Sequence, residues 1–511
     1  MVSRHTDVLV VGAGPVGLAM AAELRRHGVA LRIVDKAPTR SSKSKALVVW
    51  SRTLEMMAAM GCAERVIAAG TRVAYANIYA RRRRLARIAL DGIDSPYPGA
   101  VFLPQSETER LLDEHLASLG GAVERGVELV DLAQDESGVL ATLVHGDGEQ
   151  ESLRAEWLIA CDGAHSAVRH LLGLPFVGET TASGFILADV RLAGGTLAGD
   201  ELSIFWHPEG ALAIFPIGAG RFRIVADLGV AATAAPHAEP TLADVQAALD
   251  RRGPGGLEAR DPVWLSHFRI NERMLRDYRA GRVFLAGDAA HIHSPVGGQG
   301  MNTGIQDACG LAWRLALVCR GRGRDGVLLD SYSAERSAVG AMVLRNARRA
   351  TRLALMRNPL GQLLRNGIVA LAMRLPAVRR RFAVILSETE IAYPKSPLSQ
   401  GAGVAGGIGA PGDRARDVPL VDDAGQATSL HRLLRRGRFV LICGAGDHAI
   451  RDMASRHGDV LVTAARPEGG GAAQRPALAL IRPDGYVGLV ARAGDAAAVE
   501  RYLSTLLNPG T

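Results

Sequence analysis

The chain has 511 residues, of which 48% are apolar and 22% are charged. A chain of this length and ordinary globular composition holds about two or three domains, each able to bury its own core. The net charge of +8 comes mostly from arginines spread along the sequence, and only 5% of the residues are aromatic. A nucleic-acid-binding protein is therefore disfavoured, and the dense arginine run at 81–84 is interpreted as the solvated edge of a hairpin.

The cysteines predict reduced thiols in a cytoplasmic protein, because there are five of them without a CxxC pair or regular spacing. The 14 histidines show no metal-ligand spacing, so no metal is expected. The apolar stretch 363–386 is broken by arginines and Pro376 well short of the ~20 residues that a membrane span needs. Surface helices or a subunit contact are favoured over membrane binding, so no membrane partner is expected and a homodimer remains open.

The N-terminal residues predict a dinucleotide-binding βαβ unit. A buried strand at 7–11 is followed by a GxGxxG motif at 12–17, a helix at 18–27 and a second strand at 31–34. The glycines allow the turn, the approach of a pyrophosphate and close helix packing, and Asp35 closes the second strand where it suits ribose hydroxyls. Because a carboxylate would repel a 2′-phosphate, the nucleotide is expected to be an unphosphorylated adenosine such as FAD or NAD.

Two further elements are predicted for the same domain. Residues 104–109 open a helix, with Ser106 as its N-cap and Glu109 completing a capping box. A buried strand at 156–161 ends in Asp162-Gly163.

The segments between and after these elements predict other units. Strand-like residues at 73–103 and 185–228 indicate a sheet domain inserted into the nucleotide domain, supplying one wall of a cleft. Helical sequence follows at 326–393, and the glycine-rich residues 401–412 are interpreted as a linker. Strand patterns within 438–481 predict a small separate α/β domain.

A second motif follows the buried run at 283–286. Gly287-Asp288, Pro295 and the residues 297–302 precede an amphipathic helix predicted at 303–317. The Asp288 carboxylate can accept hydrogen bonds from a polyol, and the free N–H groups of a helix start can face an anion. The two motifs would then bind opposite ends of one cofactor.

Together these residues resemble the class A, single-component FAD-dependent aromatic hydroxylases, in the polyketide and phenol hydroxylase branch, over nearly the whole chain. The matching positions include both glycine-containing motifs, Asp162-Gly163 with Ser166 and Arg169, Gln105, and the segments 44–46 and 52–55. Two positions depart from the family pattern. Asp35 stands where Glu is usual. Lys45 stands where Arg is expected, so a compact ammonium charge replaces a planar guanidinium group.

The resemblance implies that FAD binds non-covalently and that the flavin carries the chemistry, so no catalytic side chain is assigned. His291 and His293 are weighed as acid–base groups, but a structural role is at least as well supported for His291. The residues expected to contact the cofactor are Gly12, Gly14, Pro15, Val16, Gly17, Asp35, Lys36, Lys45, Arg52, Gln105, Asp162, Gly163, Gly287, Asp288, Pro295, Gly298, Gln299, Gly300, Met301 and Asn302.

The resemblance also implies an α/β fold with three units. A Rossmann-like FAD-binding domain with its following helices is expected at 1–75, 104–176 and 277–395. An inserted antiparallel-sheet substrate domain is expected at 76–103 and 177–276, and a thioredoxin-like domain at 405–511. The last domain lacks a CxxC, so it should be redox-inert.

The implied reaction is hydroxylation of a small aromatic substrate, a polycyclic phenol, quinone or polyketide of secondary metabolism such as antibiotic biosynthesis. It would use NAD(P)H, with NADPH favoured over NADH, and dioxygen through a flavin hydroperoxide. Lys45, Arg52 and Arg169 are expected to steer the pyridine nucleotide, which has no fingerprint of its own.

Three alternatives remain: Baeyer–Villiger oxygen insertion on the same scaffold, a flavin-binding protein without turnover, and a plain NAD dehydrogenase. The dehydrogenase is disfavoured because Asp288 and its loop would have no function in it. Within the favoured reaction, the glycines of 297–300 lead to one more expectation. Substrate would shift the flavin to a position that NADPH can reach.

Overall fold

The computed structural model describes residues 4–195, 197–229, 239–444, 447–467 and 478–508. Over these residues the chain forms three sheets of seven or eight strands, a fourth sheet of three strands, and helices packed around them. Strands and helices are numbered separately, in chain order.

The first large sheet contains the N-terminal βαβ unit. Its strands are β1 Arg4–Val11, β2 Leu31–Asp35, β8 Val123–Arg125, β9 Val127–Asp135, β10 Gly138–His145, β11 Gln150–Ala160, β17 Arg279–Ala280 and β18 Val283–Leu285. They run in the order β17-β18-β11-β1-β2-β8, and β10 and β9 extend the sheet beside β11.

Strand β1 lies in the middle of this sheet, parallel to both neighbours. Val8 stands opposite Leu31 on one side and opposite Trp157 on the other. Val8, Leu9 and Val10 are fully buried, as expected for a parallel strand that is covered on both faces. The helix that follows, α1 Pro15–Arg26, contacts both α4 Gln105–Ser118 and α7 Gly300–Cys319.

The second large sheet is antiparallel except where the strands Glu201–Trp206 and Tyr75–Ala80 pair in parallel. Its strands are β5 Tyr75–Ala80, β6 Arg83–Ala89, β12 Val177–Ala193, β13 Glu201–Trp206, β14 Leu212–Gly218, β15 Arg221–Gly229, β16 Glu258–Met274 and β19 His291–Ile292. The strand order is β19-β16-β12-β15-β14-β13-β5-β6. Helix α6 Leu242–Arg252 covers an apolar core that includes Ile186, Phe205 and Ile224.

A small sheet joins the first two. It consists of β3 Val48–Trp50, β7 Ala100–Phe102 and β4 Thr71–Val73, with β7 in the middle. The strand at 100–102 therefore pairs here rather than in the second large sheet. The helices around these sheets are α2 Ser51–Met60, α3 Ala63–Ala69, α5 Ala167–Leu171, α8 Asp325–Ala354, α9 Pro359–Ala372 and α10 Pro376–Leu386.

The third large sheet forms the C-terminal domain. Its strands and helices are β20 Gln400–Gly401, β21 Pro419–Asp422, β22 Ala427–Ser429, α11 Leu430–Leu434, β23 Phe439–Cys443, α12 His448–Ser455, β24 Leu461–Ala465, β25 Leu478–Ile481, β26 Val487–Ala491 and α13 Ala496–Leu506. The prediction of a linker at 401–412 is wrong. Strand β20 pairs with β26, and Ala405 and Ile408 are buried against this sheet because apolar side chains between the glycines complete its core.

Buried charges join the C-terminal domain to α7 and α8. The Arg482 guanidinium donates to both Glu335 carboxylate oxygens at 2.7 and 2.9 Å and to Asp484 Oδ2 at 2.6 Å. Arg314 also donates to Glu335 at 2.5 Å, and Trp313 Nε1 donates to Asp484 at 3.0 Å. Burial opposes ionisation of Glu335, but Arg314 and Arg482 outweigh it and lower the pKa of this carboxyl. Paired charges therefore hold the two domains together.

All five cysteines are free thiols. Across the described ranges, no helix has the length and apolar character needed to cross a membrane. The same residues contain no group of three or more His, Cys, Asp or Glu side chains arranged to hold a metal ion.

Candidate cofactor site

Four loops meet at one edge of the first sheet, because β1, β2, β11 and β18 are parallel and all end there. Doubly wound folds bind their ligands outside the carboxyl ends of such strands. The loops begin after Val11, Asp35, Ala160 and Leu285. The predicted motifs are far apart in the chain, and the fold brings them together at this edge.

The glycine loop leaves no room for side chains where it contacts the domain. A Cβ on Gly12, whose φ is +99°, would lie 2.5 Å from the Cys161 carbonyl oxygen, and one on Gly17 would lie 1.8 Å from that of Gly12. At Gly14, by contrast, a Cβ would meet no atom within 4 Å. This open space adjoins the N-terminus of α1, where free N–H groups and the helix dipole favour an anion. The loop therefore fits a pyrophosphate.

Two other residues of the motif are turned towards the protein. Pro15 is the first residue of α1, where its missing N–H costs no hydrogen bond. A Cβ on Gly287 or on Gly304 would lie 2.8 or 2.6 Å from a Val16 methyl group. Val16 thus packs the glycine loop against the loop after β18.

Asp35 already accepts two backbone hydrogen bonds. Its Oδ2 accepts from Ala13 N at 2.6 Å and its Oδ1 from Ala37 N at 2.8 Å. A carboxylate offers about four acceptor positions, so the half-buried side chain can still bind ribose hydroxyls. Lys36 is exposed on the surface, with Nζ 3.8 Å from Glu128, and its contact with a cofactor stays a prediction.

Asp162 has one buried carboxylate oxygen that no described residue bonds. Its Oδ2 accepts from Val168 N at 3.2 Å, while Oδ1 is buried without a partner among the described residues. Burial raises the pKa of this carboxyl, against the hydrogen bond from Ser166. Beside it, Gly163 has a φ of +79°, and a Cβ there would meet nothing within 4 Å. An orphaned acceptor at the margin of an open space fits a ligand hydroxyl.

Asp288 is the second carboxylate open to a ligand. Its side chain is exposed, and no described residue donates a hydrogen bond to its oxygens. Desolvation by the surrounding protein nevertheless raises its pKa, against the opposing charges of His291 and Lys45. The Asp288 carboxyl is thus accessible to water and also surrounded by protein, as expected for a residue in a concavity. The exposed Lys45 is the cation expected on this side of the site.

The loop before α7 is fixed to β3 by two side chains. Asn302 Oδ1 accepts from Trp50 N at 2.8 Å, and its Nδ2 donates to the Val48 and Gly298 carbonyls at 2.8 Å each. Trp50 Nε1 donates to the Gly297 carbonyl at 2.9 Å. Because Asn302 is 0% exposed and its side chain bonds β3 and Gly298, this side chain positions the loop. Contact between its backbone N–H and the cofactor stays a prediction.

The other residues of this loop divide into structural and accessible ones. Gln299 is buried and donates to the Ile385 carbonyl at 3.0 Å, and Met301 is also buried. Pro295 is exposed and Gly300 half-buried at the first turn of α7. The first N–H groups of a helix have no intrahelical partners, so this turn can stabilise negative charge on a ligand.

Two arginines expected to meet the cofactor or the pyridine nucleotide do not face the site. Arg52 is 2% exposed, and its guanidinium donates to Glu55 at 3.0 Å and to the Asp484 carbonyl at 2.7 Å. Arg169 is 3% exposed and donates to the Ala289 carbonyl at 3.1 Å. The predictions for both residues are wrong because these guanidinium groups hold one part of the protein to another.

Gln105 holds the Lys45 segment rather than standing free. Its Oε1 accepts from Ala46 N at 3.0 Å, and its Nε2 donates to Glu109 at 2.9 Å. Its own N–H, at the start of α4, donates to Ser44 Oγ at 2.6 Å. The predicted capping box is therefore wrong. A serine from a different segment supplies the cap that Ser106 was expected to supply.

Sequence reasoning missed Arg223. This residue is 2% exposed, and its guanidinium pairs with both Asp189 oxygens at 2.8 Å. It also donates to the Lys45 carbonyl at 3.0 Å and the Ala46 carbonyl at 3.3 Å. Arg223 thus ties the second sheet to the segment that presents Lys45. The signal that could have revealed it is a charged residue between apolar neighbours in each strand: Asp189 follows Ala188, and Arg223 follows Phe222.

The two histidines near Asp288 contact other protein groups. His291 Nε2 lies 2.7 Å from Asp307 Oδ2, and Asp307 Oδ1 accepts from Arg336 at 2.6 Å. Asp307 also accepts from Gly287 N at 3.0 Å, so this group supports the Asp288 loop. Burial and the charge of His291 lower the pKa of His293 to about 4, which leaves its ring neutral near pH 7.

Comparison with known proteins agrees with this geometry. A family model described as "FAD binding domain" matches residues 5–347, and one described as "Aromatic-ring hydroxylase, C-terminal" matches residues 409–509. The chain is 36% identical to 6-methylpretetramide 4-monooxygenase of Streptomyces rimosus, covering 94% of this chain and 90% of the relative.

Two solved structures extend the comparison. The OxyS anhydrotetracycline hydroxylase from Streptomyces rimosus is 30% identical, with a TM-score of 0.82 and coverage of 99% of this chain and 100% of that one. The Diels-Alderase PyrE3 of the pyrroindomycin pathway is 28% identical, with a TM-score of 0.78 and the same coverage. Similar folds are thus named for more than one reaction.

Proposed function

Because this chain belongs to the family of FAD-dependent aromatic-ring hydroxylases, we propose that it hydroxylates a polycyclic phenol, quinone or polyketide with NAD(P)H and dioxygen. The observation that supports this function is the meeting of the glycine loop, Asp162 and Asp288 at one sheet edge. Within the described ranges, Asp288 and one oxygen of Asp162 have no hydrogen-bond donor, and a Cβ on Gly14 or Gly163 would meet no atom within 4 Å. The substrate class is taken from the relatives named for 6-methylpretetramide and anhydrotetracycline.

In this proposal each open group has one part of FAD to bind. The pyrophosphate would lie beside Gly14 and the adenosine ribose beside Asp35. Asp162 and Asp288 would accept hydrogen bonds from hydroxyl groups, and the first turn of α7 would face the ring. Bound FAD would accept a hydride from NAD(P)H and activate dioxygen, while the protein orients it and keeps water out.

The remaining parts of the proposal concern the substrate and the pyridine nucleotide. Residues 76–103 and 177–276 would form the substrate domain, whose sheet supplies one wall of the cleft, and residues 405–511 a redox-inert appendage. NADPH would be used in preference to NADH, with Lys45 as the exposed cation that steers it. Five free thiols support a cytoplasmic location, and no nucleic-acid partner is proposed.

Oxygen-isotope labelling tests the reaction. Protein loaded with FAD is incubated with NADPH, ¹⁸O₂ and a panel of polycyclic phenols, and the products are analysed by mass spectrometry and NMR. A labelled hydroxyl on a ring carbon is expected. A labelled oxygen inserted between two carbons would instead indicate Baeyer–Villiger chemistry. Absence of NADPH oxidation with every compound would favour flavin binding without oxygen insertion, as the likeness to a Diels-Alderase makes worth testing.

Control of flavin reduction is tested separately. We propose that an aromatic substrate accelerates reduction by NADPH, because reduction without substrate would waste the nucleotide. Asn302 and Trp50 pin the 297–300 loop, so any shift of the flavin would have to occur against a fixed loop. Stopped-flow reduction with and without a true substrate should differ. Equal rates would remove gating from the proposal and leave the reaction itself standing.

A further inference from the structure

Helix α9 is amphipathic in the reverse sense, with its apolar side facing solvent. Gln362 and Arg365 point inward and are 8% and 5% exposed. Arg365 donates to the Leu353 carbonyl at 2.6 Å, and its Cζ lies 4.3 Å from the centre of the Trp206 ring in β13. The polar residues of the helix are thus used against the body of the protein.

The outer side of α9 forms a continuous apolar face, here called the α9 face. Its helix positions follow the spacing of one side of an α-helix. Their exposed fractions, with the next turn of the chain included, are Leu360 78%, Leu363 73%, Leu364 66%, Ile368 58%, Leu371 67% and Leu375 59%.

The α9 face is large for a surface that stays in water. Single exposed leucines are ordinary, but monomeric proteins rarely expose contiguous apolar patches beyond a few hundred Å². With Leu353, which is 44% exposed, these side chains approach the area of about 800 Å² per partner that a standard protein–protein interface buries. We propose that a second copy of this chain covers the α9 face.

The arrangement of the face supports a second copy because it is self-complementary, as a twofold interface must be. With the axis between Gly367 and Ile368, two antiparallel helices place Leu364 of each opposite Leu371 of the other. The same register sets Ile368 opposite Gly367, where a Cβ would meet nothing within 4 Å. The glycine therefore leaves a hollow that the branched side chain can fill.

The charges around the face set how the two copies respond to salt. Residues 336–387 contain 11 arginines and no Asp or Glu, so an anionic lipid surface is the competing occupant. Several of these arginines are already paired with acids from other elements, which weakens the case for lipid. The pairs are Arg348–Glu272, Arg357–Asp227 and Arg381–Glu390. The remaining arginines of the two copies repel each other, and salt screens this repulsion. Self-association should therefore be stronger at high salt, whereas salt would weaken binding to an anionic lipid surface.

Charge substitution along the register tests the proposal in the full-length, FAD-loaded protein. Analytical ultracentrifugation should find a dimer for the wild type. Leu364→Glu and Leu371→Lys should each weaken self-association by roughly 100-fold or more, because each places charges in an apolar contact. The double variant L364E/L371K should associate again, since each glutamate then faces a lysine of the other copy. Val177→Glu, at an apolar residue 70% exposed on β12, is the matched control and should stay dimeric.

Four results would overturn the proposal. The first is a wild type that stays monomeric at high protein and salt concentration. The second is a dimer that survives both single substitutions, and the third is a double variant that remains monomeric. The fourth is a monomeric wild type that floats with phosphatidylglycerol vesicles at low salt and loses this in Leu364→Glu, which would assign the face to an anionic membrane. Retained FAD absorbance and an unchanged melting temperature show that each variant is folded.

Discussion

The cofactor edge and the C-terminal interface place the same residue types in opposite situations. At the interface, Glu335 and Asp484 are buried and each accepts from arginine. At the edge, Asp288 and one oxygen of Asp162 have no donor among the described residues. A buried carboxylate with its cations joins protein to protein, whereas an acceptor left without a donor marks where a ligand belongs.

Glu388 represents a third situation, between these two. It is 1% exposed and accepts from Thr303 Oγ1 at 2.9 Å and from Gln306 Nε2 at 2.5 Å. Burial outweighs the nearby charge of Arg336 and raises its pKa to about 8. A buried carboxyl without a directly bonded cation keeps its proton, so the electrostatic surroundings, rather than the residue type, decide its state.

The largest effect is expected at the interface. Arg482→Met leaves Glu335 and Asp484 buried with one cation fewer and should lower the free energy of unfolding by about 3–5 kcal/mol. Arg436→Met removes an exposed pair with Asp422 and should cost no more than about 1 kcal/mol. Urea denaturation measures both. Equal losses in the two variants would show that burial does not distinguish the two sites.

The next effect concerns pH. The pKa of Glu388 rises from 4.5 to about 8 on folding, so between these values the unfolded chain has lost a proton that the folded protein keeps. Stability should therefore fall as pH rises through this window, by an amount on the order of a few kcal/mol. Glu388→Gln should reduce the fall and be the more stable protein at pH 8. Parallel stability–pH curves for the two proteins would contradict this assignment.

At the cofactor edge the effect should appear in binding rather than stability. Asp288→Ala removes an acceptor from a ligand hydroxyl and should weaken FAD binding by roughly 5- to 150-fold, or ~1–3 kcal/mol. The free energy of unfolding of the FAD-free protein should hardly change, because no described residue donates a hydrogen bond to this carboxylate. Flavin fluorescence titration measures the affinity, with Asp330→Ala as the exposed control. Unchanged affinity in Asp288→Ala would count against the site.

The smallest effect is expected where the two sheets meet. Arg223→Lys keeps the charge but loses the fork that holds Asp189 and the Lys45 segment together, so FAD affinity should fall by roughly 3- to 10-fold. Arg221→Lys, on the same strand, is the control, since its guanidinium bonds the Asp261 carbonyl on the surface. Equal affinities of both variants for FAD would show that the Lys45 segment is held without Arg223.

Much of the fold was predictable because its signals are local. The strand–glycine–helix–strand pattern predicted β1, α1 and β2 within a few residues, and the predicted family and α/β fold class are confirmed. Gly12 and Gly17 lie where a Cβ would collide with backbone atoms, as the motif predicted. This requirement is local, since it depends on the geometry of the glycine turn.

The side chains whose contacts the sequence did not predict share one property: their partners lie far away in the chain. Arg52 bonds the Asp484 carbonyl, 432 positions away, and Asn302 bonds Trp50, 252 positions away. A motif match identifies such residues as important but does not show whether they face a ligand or another segment.

The sequence by itself determined the family, the nucleotide-binding unit and the glycines that this unit needs. Short sequence motifs are enough for this, because they predict the geometry of a turn and the burial of a strand. Only the tertiary structure decided which polar side chains remain free for a cofactor and which join the domains. It also showed that α9 turns its leucines outward, which helical spacing alone cannot reveal. The physical reason is that hydrogen bonds and burial depend on what lies across the space from a side chain, and folding alone supplies that neighbour.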